Sequence, residues 1–189
     1  MGATSGQPGR YQRSSSGMVG ALLVTLLVIG AFVAFRACNR TDLVVDPEHV
    51  DYLAQVGFAQ EAGDHVVYPA SLPGGWFATQ LTVDGGPPTE LQLSMLTGDN
   101  KYVGFVQSPD SVPVLLARFV DDAPTSGRAA EVPGAVDGSA TRWDVWTDDG
   151  GDTALVARHA GETLLVFGTV PQAQLEQLAG SLTTAPVAG

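Results

Sequence analysis

The chain has 189 residues and a formal net charge of −11. All 20 acidic residues lie from Asp42 onwards, where only five residues are basic, so that part of the chain has a net charge of −15. Such a charge repels phosphate backbones and anionic headgroups, which argues against nucleic-acid binding. Solubility explains the acidity, and an acidic docking surface is the alternative.

An apolar run occupies residues 18–35, with no charge and only Thr25 as a polar side chain. At about 1.5 Å per residue, a helix of this length spans roughly 27 Å, close to the roughly 30 Å of a hydrocarbon core. Arginines that can reach the headgroups flank the run on both sides: Arg10, Arg13, Arg36 and Arg40. We therefore predict a transmembrane helix over residues 18–36, with the membrane as its partner.

A cleaved signal peptide is the main alternative for this run. The run is longer than the usual apolar region of about 7 to 15 residues, and no small-x-small cleavage site follows it. Cys38, the only cysteine, also invites a lipoprotein interpretation. That pattern needs a small residue directly before the cysteine and an aliphatic residue three positions before it. Ala37 fits the first requirement, whereas Arg36 and Phe35 do not suit the pattern. An uncleaved signal anchor is therefore favoured, and Cys38 can be free, crosslinked to another chain or lipidated.

The number of flanking arginines does not decide the orientation of the anchor, because two arginines lie on each side of it. The free amine and the short polar N-terminal tail favour a cytoplasmic N-terminus and an extracytoplasmic domain in a single-pass protein of the cell membrane. About 145 residues follow the anchor, enough for one globular domain. The predicted segments are a disordered cytoplasmic tail (1–17), the transmembrane helix (18–36), a juxtamembrane linker (37–45), the acidic domain (46–183) and a disordered tail (184–189).

The acidic domain begins with a predicted short helix. Asp46 and Pro47 form an N-cap and first-turn pair, and Gly63 ends the helix. Its apolar residues share one face: Val50, Leu53, Ala54 and Phe58. A strand is predicted over residues 65–69, and a rigid Pro- and Gly-rich turn over residues 68–76 leads into the next strand.

Three strands are predicted in the first half of the sheet. Phe77, Leu81 and Val83 indicate one side of the first of these strands. In the next strand Leu91, Leu93 and Met95 alternate with polar residues, the cleanest half-buried pattern in the chain. The strand over residues 101–107 places two pairs of side chains on opposite faces: Val103 and Phe105 against Tyr102 and Val106.

Residues 112–120 fit either a strand or a helix, and Pro113 favours the helix. A loop follows over residues 121–139, and then three strands over residues 140–147, 153–159 and 163–170. Thr169 and Gln172 predict a capping box for a last helix. This helix has an apolar stripe: Leu175, Leu178, Ala179 and Leu182.

Strands in runs with helices at the ends predict an α+β fold, namely one antiparallel sheet with helices packed on one face. The order of features also resembles a known family. The resemblance rests on the N-terminal anchor, the first helix, Tyr-Pro-x-x-Leu-Pro-Gly-Gly-Trp at residues 68–76, and Gly-x-x-Pro followed by Leu-x-x-Leu-Ala-x-Ser-Leu at residues 168–182. These features are similar to the actinobacterial domain of unknown function family 4245, over most of residues 18–183.

This resemblance implies a single-pass membrane protein of actinobacteria with no assigned activity, and therefore no site residues to carry over. The sheet and terminal helix are also similar to the Mog1/PsbP-like and LolA-like sandwiches of other exported proteins, as an analogy of fold alone.

Sequence motifs for catalysis are absent from the chain: there is no Gly-x-Ser-x-Gly, Ser-x-x-Lys, Gly-rich phosphate loop, His-Glu-x-x-His or Cys-x-x-Cys. The three histidines are spread over a helix and two strands and are predicted to lie on the surface: His49, His65 and His159. Asp148, Asp149 and Asp152 lack the spacing and the bidentate Glu of a calcium loop, which favours a solvated hairpin turn. No catalytic, cofactor-binding or metal-binding residues are predicted.

Trp143 and Trp146 are three residues apart in one strand, so their side chains point to opposite faces of the sheet. The one outside the helix-covered face either lines a ligand groove or partner surface, or packs under a loop. Packing is the simpler interpretation, for Trp76 as well.

Two functions are compatible with these patterns, and neither is an enzyme. The first is a non-catalytic extracytoplasmic domain, tethered by its anchor, that binds another envelope protein or a precursor. The second is an exported carrier or sensor that holds an apolar ligand between sheet and helix. A deep apolar cavity under the sheet would favour the carrier, and a closed core with an exposed aromatic patch would favour the partner-binding domain. The oligomeric state does not follow from the sequence.

Overall fold

The structure is a computed structural model that describes residues 15–38 and 48–187. These residues fall into two units, the N-terminal helix and the domain that follows it. The predicted N-cap pair Asp46 and Pro47, most of the predicted linker and the first 14 residues lie outside the described residues.

The first unit is helix α1, Ser15–Cys38. Its apolar stretch Met18–Arg36 is long and apolar enough to cross a membrane, and none of it is buried. The hydroxyl of Thr25 donates to the carbonyl of Ala21 at 2.9 Å, so the single polar side chain of the run has a partner inside the helix. Helix α1 therefore has the length and composition of a membrane anchor, which a signal sequence near the N-terminus shares.

The second unit is an α+β domain built on an antiparallel sheet, as predicted. Its elements are α2 (Tyr52–Glu61), β1 (Tyr68–Pro69), β2 (Phe77–Asp84), β3 (Glu90–Leu96), β4 (Tyr102–Ser108), α3 (Val112–Phe119), β5 (Thr125–Ser126), β6 (Ala130–Glu131), β7 (Arg142–Thr147), β8 (Thr153–His159), β9 (Glu162–Gly168), α4 (Gln172–Gly180) and β10 (Leu182–Thr183). The strand order is β2-β3-β4-β9-β8-β7-β5, with β6 also on β7 and a separate pair β1-β10. The ambiguous segment 112–120 is thus a helix, as preferred.

Helices cover both faces of this sheet, so the prediction that they pack on one face is wrong. On the first face, Leu93 and Phe105 pack with Val56 of α2 and Leu175 of α4. On the opposite face, α3 is packed in a second core: Leu115 and Leu116 with Val106, Val156, Leu165 and Phe167. Strands β4, β8 and β9 are buried on both sides along most of their length. A sheet that is apolar on both faces needs a packed layer on each face. A sheet whose strands alternate apolar and polar residues needs a layer on one face only.

The first helix starts later than predicted, at Tyr52, and Asp51 caps it by accepting a hydrogen bond from the Ala54 N–H at 3.1 Å. From this start, spacing by four residues brings Tyr52 and Val56 into the core. Phe58, predicted on the buried face, is 69% exposed.

A β-bulge between Ala78 and Gln80 corrects the predicted face of β2. The extra residue shifts the alternation, so that Ala78 lies on the core face with Leu81 and Val83. Phe77 lies on the other side and stacks on His49, with ring centroids 3.9 Å apart. In β3 the alternation is regular, and Leu91, Leu93 and Met95 are buried as predicted.

The last helix packs as predicted but begins differently. Leu175, Leu178 and Ala179 have no exposed surface, whereas Leu182 is buried in β10 rather than in the helix. The capping box is wrong, because Pro171 is the N-cap and no side chain caps the helix. The N–H of Thr169 instead donates to the Tyr102 carbonyl at 3.1 Å, so Thr169 still extends β9 along β4.

Candidate functional site

Two adjoining open clefts, each of about 700 Å³, lie at one end of the sheet. The residues that line both clefts come from the segment after α2 and from the β8–β9 turn: Gly63, Asp64, His65, Ala160 and Glu162. The hairpin between β2 and β3 and the residues after β10 complete the walls. We call the combined feature the polar cleft. Each of the two clefts by itself is within the range of about 300–1,000 Å³ that is typical of ligand sites.

The floor of the polar cleft is the buried side chain of Gln107 in β4, which is 1% exposed. Its Oε1 accepts a hydrogen bond from the Val67 N–H at 2.7 Å. Its Nε2 donates to the His65 carbonyl at 2.8 Å and to the Glu162 carboxylate at 2.5 Å. Every buried polar atom of this amide is therefore paired.

Gln107 also explains why the strand predicted over residues 65–69 is shorter in the structure. Only Tyr68 and Pro69 pair with a strand, β10. Residues 65–67 are held by the Gln107 amide, which takes the place of a neighbouring backbone. These residues consequently form a wall of the polar cleft instead of an edge of the sheet.

Carboxylates determine the charge of the polar cleft. Glu61, Asp64 and Glu162 line it, and no lysine or arginine is among the described residues that do. Asp64 Oδ1 accepts the Gly86 N–H at 2.8 Å and thereby fastens the β2–β3 hairpin to the end of α2. Such a cleft attracts cations and hydrogen-bond donors.

Two of the three histidines, His65 and His159, line the polar cleft, although 94 positions separate them in the sequence. His49 lies elsewhere, against Phe77. Within residues 15–38 and 48–187, no group of three His, Cys, Asp or Glu side chains is placed to hold a metal ion. The spacing of His65 and His159 in the sequence does not predict that both line one cleft, because the position of His159 depends on the β8–β9 turn.

A serine, a histidine and an aspartate lie close together beside the cleft. Ser139 Oγ is 3.0 Å from His159 Nδ1 and 2.7 Å from the Val136 carbonyl, which can accept its proton. The hydroxyl has one proton, so it donates either to Val136 or to His159, and the direction of the His159 contact depends on the histidine tautomer.

Asp137 has a structural role next to this pair. Its Oδ1 accepts from the Thr183 hydroxyl at 2.9 Å, and its Oδ2 accepts from the N–H and hydroxyl of Thr184. The backbone hydrogen bond from Thr184 is the main cause that lowers the pKa of Asp137, followed by the hydroxyl of Thr183. The carboxylate thus fixes the strand β10 and does not orient His159.

Residues 184–187, which belong to the segment predicted as a disordered tail (184–189), form the remaining wall. Gln60 Nε2 donates to the Ala185 carbonyl at 3.0 Å, and Gln60 Oε1 accepts the Val187 N–H at 2.9 Å. The Tyr68 hydroxyl donates to the same Ala185 carbonyl at 3.0 Å. Residues 188 and 189 lie outside the described residues.

The tryptophans and the aspartate turn lie away from the polar cleft. Trp143 is fully buried in the first core and donates to the Ala140 carbonyl at 2.8 Å. Trp146 packs against the second core, on the opposite face as predicted, and Trp76 packs against the first. Asp148 and Asp152 belong to the turn between β7 and β8, where Asp148 Oδ1 accepts the Asp152 N–H at 2.8 Å.

These features define an α+β domain with a polar cleft, preceded by an apolar helix of the kind found in membrane anchors and signal sequences. The chain matches the family described as protein of unknown function (DUF4245) over residues 10–182 and therefore belongs to it, which confirms the resemblance drawn from the sequence. No curated protein and no solved structure matches the chain, so the sandwich analogies gain no support.

Proposed function

We propose that this chain is a membrane-anchored, non-catalytic binding module that takes a segment of an envelope protein into the polar cleft. The observation that carries this function is the cleft itself. Four separate segments converge on it, and Gln107 holds two of them through buried hydrogen bonds. A wall held in this way is ordered before a partner arrives, which lowers the entropic cost of binding.

The proposed topology places the N-terminus in the cytoplasm and the α+β domain outside. It is supported by the exposed apolar surface of Met18–Arg36 and by the unsuitable cleavage sites that follow. Tethering raises the effective concentration of the cleft at the membrane surface, so a modest affinity for an envelope partner suffices.

Hydrogen-bond partners favour binding over catalysis in the cleft. Both Asp137 oxygens accept hydrogen bonds from Thr183 and Thr184, and the Ser139 hydroxyl has the Val136 carbonyl as a second acceptor. The aspartate therefore does not complete a Ser-His-Asp arrangement for acyl transfer.

Packing between α4 and the sheet favours a protein partner over the alternative, an apolar ligand held between them. Leu155 and Leu164 of the sheet and Leu175 and Leu178 of α4 are fully buried in one core. The space that a ligand carrier would leave open is here occupied by side chains.

A site-specific photo-crosslinker at His65 tests the proposal in cells that express the full chain. We expect a discrete adduct with a membrane-associated protein from position 65, and none from Arg128, an exposed residue outside the cleft. Asp64→Asn should weaken the adduct, because it removes the charge while the amide oxygen still accepts from Gly86. The matched control Asp144→Asn, an exposed carboxylate on β7, should leave it unchanged. Equal adducts from positions 65 and 128, or indifference to Asp64→Asn, would refute the proposal.

A further inference from the structure

A second, smaller pocket of about 190 Å³ lies at the end of the sheet away from the polar cleft. Its walls include three aromatic rings and two carboxylates: Tyr102, Phe119, Phe167, Asp148 and Asp152. We call it the aromatic pocket. It is smaller than a typical small-molecule site, and its size suits a single side chain.

The three rings are arranged as a tilted set around Phe167. Phe119 and Phe167 have centroids 5.4 Å apart at an interplanar angle of 42°. Tyr102 and Phe167 have centroids 5.9 Å apart at 57°. Aromatic ring faces are electronegative and attract cations placed within about 6 Å of the centroid.

Two glycines allow the close packing of β4 and β9 behind these rings. A Cβ on Gly104 would collide with the Phe167 ring, which lies directly over the backbone of β4. A Cβ on Gly168 would collide with the Tyr102 carbonyl, so the close approach of β9 and β4 at this end depends on glycine. The Phe167 ring, at the centre of the set, is therefore fixed by the packing of the sheet before any ligand binds.

The carboxylates supply negative charge at the same pocket. The Asp152 carboxylate has no hydrogen bond or ion pair with any residue that the structure describes, and that of Asp148 accepts one hydrogen bond, from the Asp152 N–H. No lysine or arginine lines the pocket among the described residues. The Arg118 guanidinium lies over the Phe119 ring, 5.8 Å from its centroid, but does not line the pocket and pairs with Asp110 at 3.2 Å.

We propose that the aromatic pocket binds the ammonium or guanidinium group of a lysine or arginine side chain from a partner protein. Aromatic faces and a free carboxylate together match a cation with an apolar stem. Tyr102 lines the aromatic pocket and Gln107 of the same strand lines the polar cleft. Five residues of extended strand separate these two positions by about 17 Å. They can therefore be tested, and can fail, independently.

The test uses the full chain in a neutral maltoside detergent, because choline lipids would compete for the pocket. Phe and Tyr rings are labelled with ¹³C, and NMR shifts are followed on titration with blocked lysine or arginine, each N-acetylated and N′-methylamidated. We expect saturable shifts of the Tyr102, Phe119 and Phe167 rings at millimolar concentrations, and none with blocked norleucine, which has no charge. Equal shifts with norleucine, or tighter binding of free choline than of blocked lysine, would overturn the proposal.

Variants separate a specific pocket from general acidity. Asp152→Asn should weaken blocked lysine about threefold, whereas Asp149→Asn, which removes a neighbouring charge outside the pocket, should leave binding unchanged. Tyr102→Leu should weaken it about two- to fivefold; Tyr102 is 37% exposed, so the fold should survive. Equal losses for Asp149→Asn and Asp152→Asn would show that net charge alone is measured, and the proposal would fall.

Discussion

Gln107 and Glu162 meet at the floor of the polar cleft, where a buried amide of β4 donates to a carboxylate at the start of β9. The same amide holds Val67 and His65, so one side chain joins the sheet to the segment that follows α2. The shape of the cleft and the stability of the domain therefore depend on the same residue.

Gln107→Ala should destabilise the domain by about 2–4 kcal/mol. It would leave the Val67 N–H and the His65 carbonyl without their partner in a largely buried position. Chemical denaturation measures the loss. Gln92→Ala, at an exposed position on the adjacent β3, should stay within about 0.5 kcal/mol of the original protein. A comparable small effect of both substitutions would contradict the role given to Gln107.

Leu175→Asp or Leu178→Asp should destabilise the domain by more than about 4 kcal/mol. Both side chains are fully buried between α4 and the sheet, where an unpaired carboxylate is costly. Glu176→Lys, on the same helix but directed towards Gln172, should be nearly silent. Thermal melts compare the three variants, and equal small shifts would mean that α4 is not packed in this way.

Alkaline pH should destabilise the domain through Tyr52. Burial, followed by the charges of Tyr68 and Asp51, raises the pKa of Tyr52 to about 12. Because the folded pKa lies above the unfolded value of about 10, this stability is present below pH 10 and is lost as the pH rises through about 12. The loss amounts to roughly 3 kcal/mol at most.

Tyr52→Phe tests this dependence on pH. It removes the hydrogen bond to the Pro69 carbonyl, at a cost of about 1 kcal/mol near neutral pH, and should flatten the stability profile between pH 10 and 12. Tyr102→Phe, at an exposed position, should keep the profile of the original protein. The test is the denaturation midpoint of each variant measured between pH 10 and 12. If the midpoint of Tyr52→Phe falls with pH as steeply as that of the original protein, Tyr52 does not cause the loss of stability.

Trp143 and Trp146 should respond differently to replacement by phenylalanine. The Trp143 indole donates to the Ala140 carbonyl, whereas the buried Trp146 Nε1 has no partner among the described residues. Trp143→Phe should cost about 2–4 kcal/mol, through a lost hydrogen bond and a cavity. Trp146→Phe removes an unpaired donor and should cost less than about 1 kcal/mol. Urea titrations that ranked the two variants the other way round would disprove this account.

The mature protein should retain residues 18–35 and fractionate with the membrane, with residues 48–187 open to protease from outside intact cells. A mature N-terminus near Cys38, or a domain protected from protease, would contradict the anchor. Complementation of a gene deletion by the full chain, but not by an exported anchorless form of equal abundance, would support a tethered module.

Local patterns predicted the parts of the fold that local physics controls. Leu91, Leu93 and Met95 alternate because one side of β3 faces the core, and the stripe through Leu175 and Leu178 follows the helical repeat. The bulge beside Ala78 was not predictable in this way, because it shifts the alternation by one residue and leaves no composition signal.

The polar cleft could not be predicted from sequence spacing. It depends on Gln107, whose amide serves backbone groups 40 and 42 positions away, and on a turn that places His159 in the same cleft as His65. The second helical layer was missed for a related reason. Strands β4, β8 and β9 are apolar on both sides, and only their central position in the sheet explains why.

The hydrogen bonds between Gln60 and residues 185 and 187 have a practical consequence for work on this protein. They place the last described residues along the rim of the cleft. A fluorescent label attached at Val187 would therefore lie beside this rim and obstruct it. A label on Arg128, an exposed residue outside the cleft, should not obstruct it, so labels at the two positions should give different results in any assay of the cleft.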